Sequence, residues 1–476
     1  MNKMLTNIDH LVFRRVASLI GGLALLLVTA YMLGWMTATE KYGFLTIPFV
    51  LGLCGAFLIV KYPTIGFALI FFLIPLGPIT RIGGARSIGF LLGVLLLGVF
   101  ASRILILHEK IKFDRISLLG CMFAAWAILS SVWAYEPKVA LFHAVFRFSQ
   151  MIALYILIIN YCRNERQLNI ITLSFVAGAV ITATVTLIKG VNVGSTERVT
   201  FAKGFDPNAF SVIISIAMIL IFYYFYKMKH NLLRAIFILS TLIAIYVIIK
   251  AQSRGVWISL PASFLLITLL MHRSSKIVKY VTGTVVVLIL AVVSAYYSGI
   301  ISESVTERLK TLTYLFSDSP ESKSATGRFK IVGVGIEMIK DNMPLGVGHY
   351  NFKLVYSQYW PLTNPDDFSY SSRRPKGPHN SFLAVLAELG IVGFIIFLAI
   401  FIHLFKNIAR IRDPITRFMF LWLVSFIIMD SLILLTHTLP WFWFVLALVN
   451  LRAKFEQVAD KLIVPKNYSD MLAASK

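Results

Sequence analysis

The feature that most constrains this chain is the recurrence of apolar runs roughly 17–25 residues long, each long enough to cross a hydrocarbon core as a helix. Fourteen such segments read along the sequence: 15–36, 44–60, 63–79, 88–107, 116–134, 139–160, 168–188, 208–226, 233–251, 256–271, 277–298, 380–405, 417–436 and 440–451. The pair 44–60 and 63–79 is short, and so is 440–451, so the reading allows about 12–14 spans. Inside a bilayer every backbone polar group must find a partner in the protein, which a helix provides within each segment. The expected fold class is therefore an all-α polytopic membrane protein. Only 14% of the 476 residues are charged, against about 25% in soluble domains, so the runs are not the cores of soluble domains. Arg14 and Arg15 precede the first run, which exceeds a signal-peptide core and lacks a convincing cleavage site. It reads as the first span.

The net charge of +23 would suggest nucleic acid in a soluble protein. Here it follows from the bias of Lys and Arg toward cytoplasmic loops, and no nucleic-acid partner is expected. With the N-terminus inside, the inner segments hold 24 Lys and Arg, while the short outer loops hold 8: Lys41, Arg81, Arg86, Lys138, Lys189, Arg198, Lys203 and Arg254. Fourteen spans then place both termini in the cytoplasm. The expected division is 1–298 for spans one to eleven, 299–379 for one large outer loop, 380–451 for the last spans and 452–476 for a cytoplasmic tail. Within the loop, 302–316 reads as an amphipathic helix with Val305, Leu309, Leu312 and Phe316 on one stripe. Residues 327–342 read as a second, lying along the membrane.

Four basic residues gather on the outer face once this topology is drawn: Arg198 in "GSTERVTFAKGFDPNAF", Arg254 in "AQSRGVW", Arg328 in "SATGRFK" and His379 in "GPHNSF". Spans eight, ten and twelve begin on that face, and helix starts offer free N–H groups and partial positive charge. Asp206-Pro207-Asn208 reads as an N-cap followed by proline at the first helical position. Guanidinium groups beside such helix starts suit a diphosphate. Taken singly, each arginine also suits an interfacial anchor, and His379 suits a helix-terminal histidine among headgroups. Because it follows Pro378, His379 is expected in the first turn of span twelve, where the helix start and nearby cations favour the neutral imidazole a general base needs.

Glu388 lies nine residues later, about two and a half turns deeper on the opposite face of a straight helix. It reads as a buried carboxylate paired with another helix. Arg147, embedded in "AVFRFSQ", reads as its partner or as a further phosphate contact, and Asp430 is an intramembrane acid with no partner assigned. His349 reads as a loop-packing residue. There is no Walker loop, no GxGxxG after a strand and no HExxH. Cys54, Cys121 and Cys162 form no CxxC pair, so neither a disulfide nor a metal site is expected. Energy for a reaction outside the membrane would come from the substrate, as with a lipid-linked diphosphate.

The stretches "RVTFAKGFDPNAF", "QSRGVW", "TGRFKIVGVGIEMIKDNMPLGVGHYNF" and "PHNSFLAVLAELGIVG" together resemble the O-antigen ligase-like superfamily of polytopic, GT-C-like glycosyltransferases. The resemblance implies an enzyme of the bacterial inner membrane that uses no metal or cofactor. Such an enzyme transfers glycan from undecaprenyl diphosphate to an acceptor hydroxyl at the periplasmic face with inversion. It implies Arg198 and Arg254 as diphosphate ligands, His379 as base, and Asn380 and Glu388 in supporting roles; the reading of the residues adds Arg328 as a further diphosphate ligand and Asn208 and Arg147 as supporting residues. The implied acceptor is lipid A–core, as for a ligase, or a growing glycan, as for a polymerase. A lipid-linked oligosaccharide transporter is the reading from another class; it would show Gly/Pro-broken spans in matching halves, which this sequence lacks.

Overall fold

The structure is a computed structural model that describes residues 46–82, 86–193, 198–271, 305–307, 323–363 and 374–463, together with Gly283, Val286, Leu290 and Ser294. The span expected at 15–36 lies outside the described residues, as do nearly all of the span at 277–298 and the amphipathic helix at 302–316.

The chain divides into two compact units, Met1–Pro63 and Thr64–Lys476. The first contributes helix α1 (Thr46–Lys61). The second opens with α2 (Pro63–Leu73), α3 (Ile88–Leu107), α4 (Arg115–Val132), α5 (Pro137–Tyr161) and α6 (Glu165–Lys189). It continues with α7 (Pro207–Lys227), α8 (Asn231–Lys250), α9 (Arg254–Met271), α10 (Lys323–Asn342) and α11 (Phe352–Thr363). Its last helices are α12 (Ser381–Ala409), α13 (Pro414–Ser431) and α14 (Pro440–Ile463). Two short antiparallel hairpins complete it, Arg81–Ile82 with Arg86–Ser87 and Val191–Asn192 with Val199–Thr200. Among the described residues nine helices are long and apolar enough to cross a membrane. The protein is an all-α, multi-pass membrane protein.

Caps written in the sequence set most boundaries. Asp206 accepts from the N–H groups of Asn208 and Ala209, with Pro207 at the first helical position. Asp413 and Pro414 repeat the device at the start of α13, three residues before the apolar run expected at 417. Asp114 and Ser117 form a reciprocal capping box on α4. At the other extreme, the segment expected to end at 451 continues as helix to Ile463, and the one expected to reach 79 stops at Leu73.

Burial orders the bundle. The spanning part of α7 is 83% buried, whereas that of α3 is 11% buried, so α7 is the central post and α3 a lipid-facing one. The polar Ser211 and Ser215 of α7 donate to the carbonyls of Pro207 and Ser211, one turn back, which hides their hydroxyls where no water competes. Helix α7 packs on α6, α8 and α13. Helix α9 lies antiparallel to α13: Trp422 Nε1–H donates to the Leu260 carbonyl at 3.3 Å, and Gly255 faces Ile433. Beside the start of α12, helices α10 and α11 close a separate apolar core around Val334, Met338, Phe352, Tyr356 and Ala387.

Candidate functional site

Helices α7, α9 and α12 start, and α13 ends, around one cluster of charged groups. Arg198 precedes the second strand of its hairpin and donates from Nε to the Ala251 carbonyl at 3.3 Å and from Nη2 to Asn208 Oδ1 at 3.2 Å. The same Asn208 oxygen accepts from Ser253 Oγ at 3.1 Å. Asn208 thus ties the start of α7 to the residue immediately before Arg254, which opens α9. Buried Gln252, two positions before Arg254, has a left-handed backbone with φ 51°.

His379 lies one residue outside its helix, so the first-turn position expected for it is corrected. Asn380 is the N-cap, its Oδ1 accepting from the Leu383 N–H at 3.0 Å. The cap requires extended backbone at 380, and His379 turns into it with φ 46°. Histidine tolerates that region better than most residues but at some cost, and such strain concentrates at functional sites. The start of α12 is bolted to the chain after α13: Ser381 Oγ donates to the Leu434 carbonyl at 2.9 Å and accepts from the Thr436 N–H at 2.8 Å.

That bolt brings the end of α13 to His379. Arg328 on α10 and Asp206 at the cap of α7 bear electrostatically on both His379 and Asp430. His379 keeps an exposed surface, yet crowding of its ring lowers its pKa from the ordinary 6.5, as does the Arg328 cation; the Asp206 carboxylate opposes them. The imidazole is therefore neutral and able to accept a proton at neutral pH. Asp430 is only 2% exposed and its Oδ2 has no hydrogen-bond partner among the described residues. A buried, unpartnered carboxylate oxygen is costly, and here it sits within reach of the Arg328 charge. The structure thus brings together Arg198, Asn208 and the start of α9 on one side, and Arg328, Asp206, Asp430 and His379 on the other. The residues 206–208 join the two.

Glu388 belongs to a different construction. It is buried, as expected, and the helix it meets is α11, reached through backbone N–H groups at that helix's start and in the loop before it. Its oxygens accept from the backbone N–H groups of Tyr350 at 2.7 Å and Phe352 at 3.2 Å, so it caps α11 from a distance. The loop "PLGVGHYNF" docks on a break in α12. Gly390 adopts φ 63°, and a Cβ there would stand 1.9 Å from the Pro344 carbonyl oxygen. Carbonyls released by the break are recovered: Ala387 and Glu388 accept from Val347 and Gly348 N–H, and Leu389 accepts from Trp126 Nε1–H at 2.8 Å. The "ELG" and "GVG" stretches are two halves of one backbone joint. His349 stands 3.8 Å from Glu388, but burial and the neighbouring His437 and His143 push its pKa down to about 3. The ring is neutral and the contact is no ion pair; His349 packs the loop, as expected.

Arg147 is not brought into the cluster. It is exposed, in a wide helical turn over Ala144–Phe148, and its charge bears on His143, which stacks on Tyr350 at 3.5 Å between ring centroids. Sequence reasoning saw Asp206 only as a cap and gave Asp430 no partner. The signal for Asp430 was its position, an acid near the end of a span; its neighbours come from three distant segments. Among the described residues, no group of three His, Cys, Asp or Glu is placed to hold a metal ion.

Residues 239–398 match the family model described as O-antigen ligase. The match supports membership of the O-antigen ligase-like superfamily. It runs from α8 through α9, α10 and α11 into α12, and so takes in Arg254, Arg328, His379, Asn380 and Glu388. The match supports a membrane glycosyltransferase of ligase or polymerase type. No curated protein matches the chain.

Proposed function

We propose that the protein transfers a glycan from undecaprenyl diphosphate to an acceptor hydroxyl at the periplasmic face of the bacterial inner membrane, with lipid A–core as the acceptor. The observation that carries this reading is the meeting of Arg198, Arg328 and His379 around residues 206–208, within a chain whose residues 239–398 match the O-antigen ligase family model. The diphosphate lies between Arg198, Arg254 and Arg328, where α7 and α9 present their free N–H groups. His379 takes the proton of the acceptor hydroxyl as it attacks the anomeric carbon, and the lipid diphosphate leaves with inversion. Charge that grows on the departing oxygen is held by the arginines, so they act most strongly in the transition state. Asn208 positions Arg198, Asn380 fixes the turn that presents His379, and Glu388 holds the loop beneath them. The outer loop forms the acceptor surface.

The test is reconstitution in liposomes with a glycan on undecaprenyl diphosphate and two acceptors, lipid A–core and the free glycan. Capping of lipid A–core supports the ligase reading. Lengthening of the glycan with lipid A–core untouched selects the polymerase, and no transfer to either acceptor rejects both.

A further inference from the structure

At the opposite end of the bundle, where α4 begins, α12 ends and residues 450–457 of α14 pass, a cavity of about 420 Å³ opens. Lys112, Arg115, His403, Arg410 and Lys454 line it. The one acid in its wall, Asp114, is already engaged: its carboxylate accepts from the Ser117 N–H at 2.7 Å, from the Tyr155 hydroxyl at 3.0 Å and from the Asn450 amide. Asn407 Nδ2 in turn donates to Asn450 Oδ1 at 2.7 Å. Asn407 Oδ1 accepts from Arg410 Nη1 at 3.5 Å, so this polar floor offers the surrounding cations the single carboxylate of Asp114. Among the described residues, Lys112, Arg115, Arg410 and Lys454 form no salt bridge. Four fixed cations around a cavity at a helix-bundle end select an anion, and basic pockets between spans at headgroup level suit phosphate.

We propose that this cavity binds a phosphate-bearing anion, carried by a membrane phospholipid headgroup or free in solution. The proposal stands apart from the transferase reading, because none of its residues belongs to the His379 cluster. The size admits a headgroup, and Arg115 and Arg410 offer paired donors to phosphate oxygens.

The experiment titrates the purified full chain in detergent with short-chain phosphatidylglycerol, phosphatidylcholine and inorganic phosphate, read by native mass spectrometry and by shifts in thermal unfolding. The variants are K112Q/R115Q and R410Q/K454Q. All four residues are exposed, and their unliganded unfolding temperatures report folding. Phosphatidylglycerol binding above phosphatidylcholine, weakened about 30-fold in each double variant, supports the proposal with lipid as the source. Inorganic phosphate binding with the same dependence on these cations, without phosphatidylglycerol binding, supports it with free phosphate as the source. Equal binding of the two lipids, or anion binding unchanged in either folded variant, overturns it. So does the absence of any anion binding by the wild type.

Discussion

Helix α12 begins beside Asp430, whose buried carboxylate oxygen has no partner among the described residues, and beside His379, held in a left-handed backbone. It ends beside Asp114, Tyr155, Asn407 and Asn450, whose polar atoms answer one another in one network. Both ends bury polar side chains where water is scarce, and the physics of burial is the same at each. At the network end the fold has settled the demand internally, so those side chains hold helices together. At the His379 end the demand is left open, and strained backbone is kept there against its cost. Under the proposed function, the contrast is one of architecture at one end and chemistry at the other.

The comparison breaks most visibly if the open end proves dispensable. His379→Ala is expected to lower glycan transfer by about 100- to 10,000-fold with the protein still folded in the membrane. Transfer assays beside thermal unfolding read both halves of that statement, and full activity in the variant would empty the contrast. Next comes the joint that carries the site. Gly390→Ala places a methyl group against the Pro344 carbonyl at a backbone angle alanine resists, so a loss of about 3 kcal/mol is expected. It would appear as a large fall in unfolding temperature.

The two ends should then trade places between assays. Asp430→Asn is expected to reduce transfer about tenfold without lowering the unfolding temperature, because Asp430 Oδ2 has no hydrogen bond to lose among the described residues. Asn407→Ala should do the reverse, costing about 1–2 kcal/mol of stability with transfer within about threefold of wild type. Equal effects of both substitutions in both assays would dissolve the distinction. The smallest expected effect is on pH dependence. A neutral His379 is the working form, so kcat/KM falls as pH drops through its pKa, which lies below 6.5. Arg328 helps to hold that pKa down, so Arg328→Gln should move the acid limb to higher pH. A limb that stays in place, or moves to lower pH, would separate Arg328 from His379.

Much of the frame was legible in the residues because each span carries its own signal. Apolar length gave the α3 boundaries as they stand, and Asp206-Pro207 announced the start of α7. The same Asp-Pro pair at 413–414 marks a helix start that apolar length places too late, since Arg417 interrupts the run inside the first turn. Arg198, Arg328 and His379 of this cluster could be singled out from one sequence because cations on an expected outer face run against the usual bias. Their neighbours could not. Asp430 meets Arg328 only because Ser381 and Thr436 bolt α12 to the turn after α13. Glu388 turns to a loop because α12 breaks at Gly390, which a straight-helix projection from His379 cannot represent. Glycine patterns such as "GVG" and "ELG" signal close backbone approach, but not which backbone approaches.

The central claim is that His379 activates an acceptor hydroxyl against a donor that the arginines hold. It is tested most directly by a single-turnover assay in nanodiscs with labelled glycan on undecaprenyl diphosphate and lipid A–core as acceptor, measuring donor binding and glycan release to the acceptor separately. The account predicts that His379→Ala binds donor like the wild type but releases almost none, while Arg254→Ala loses donor binding. Donor binding and release at wild-type levels in both variants would contradict it.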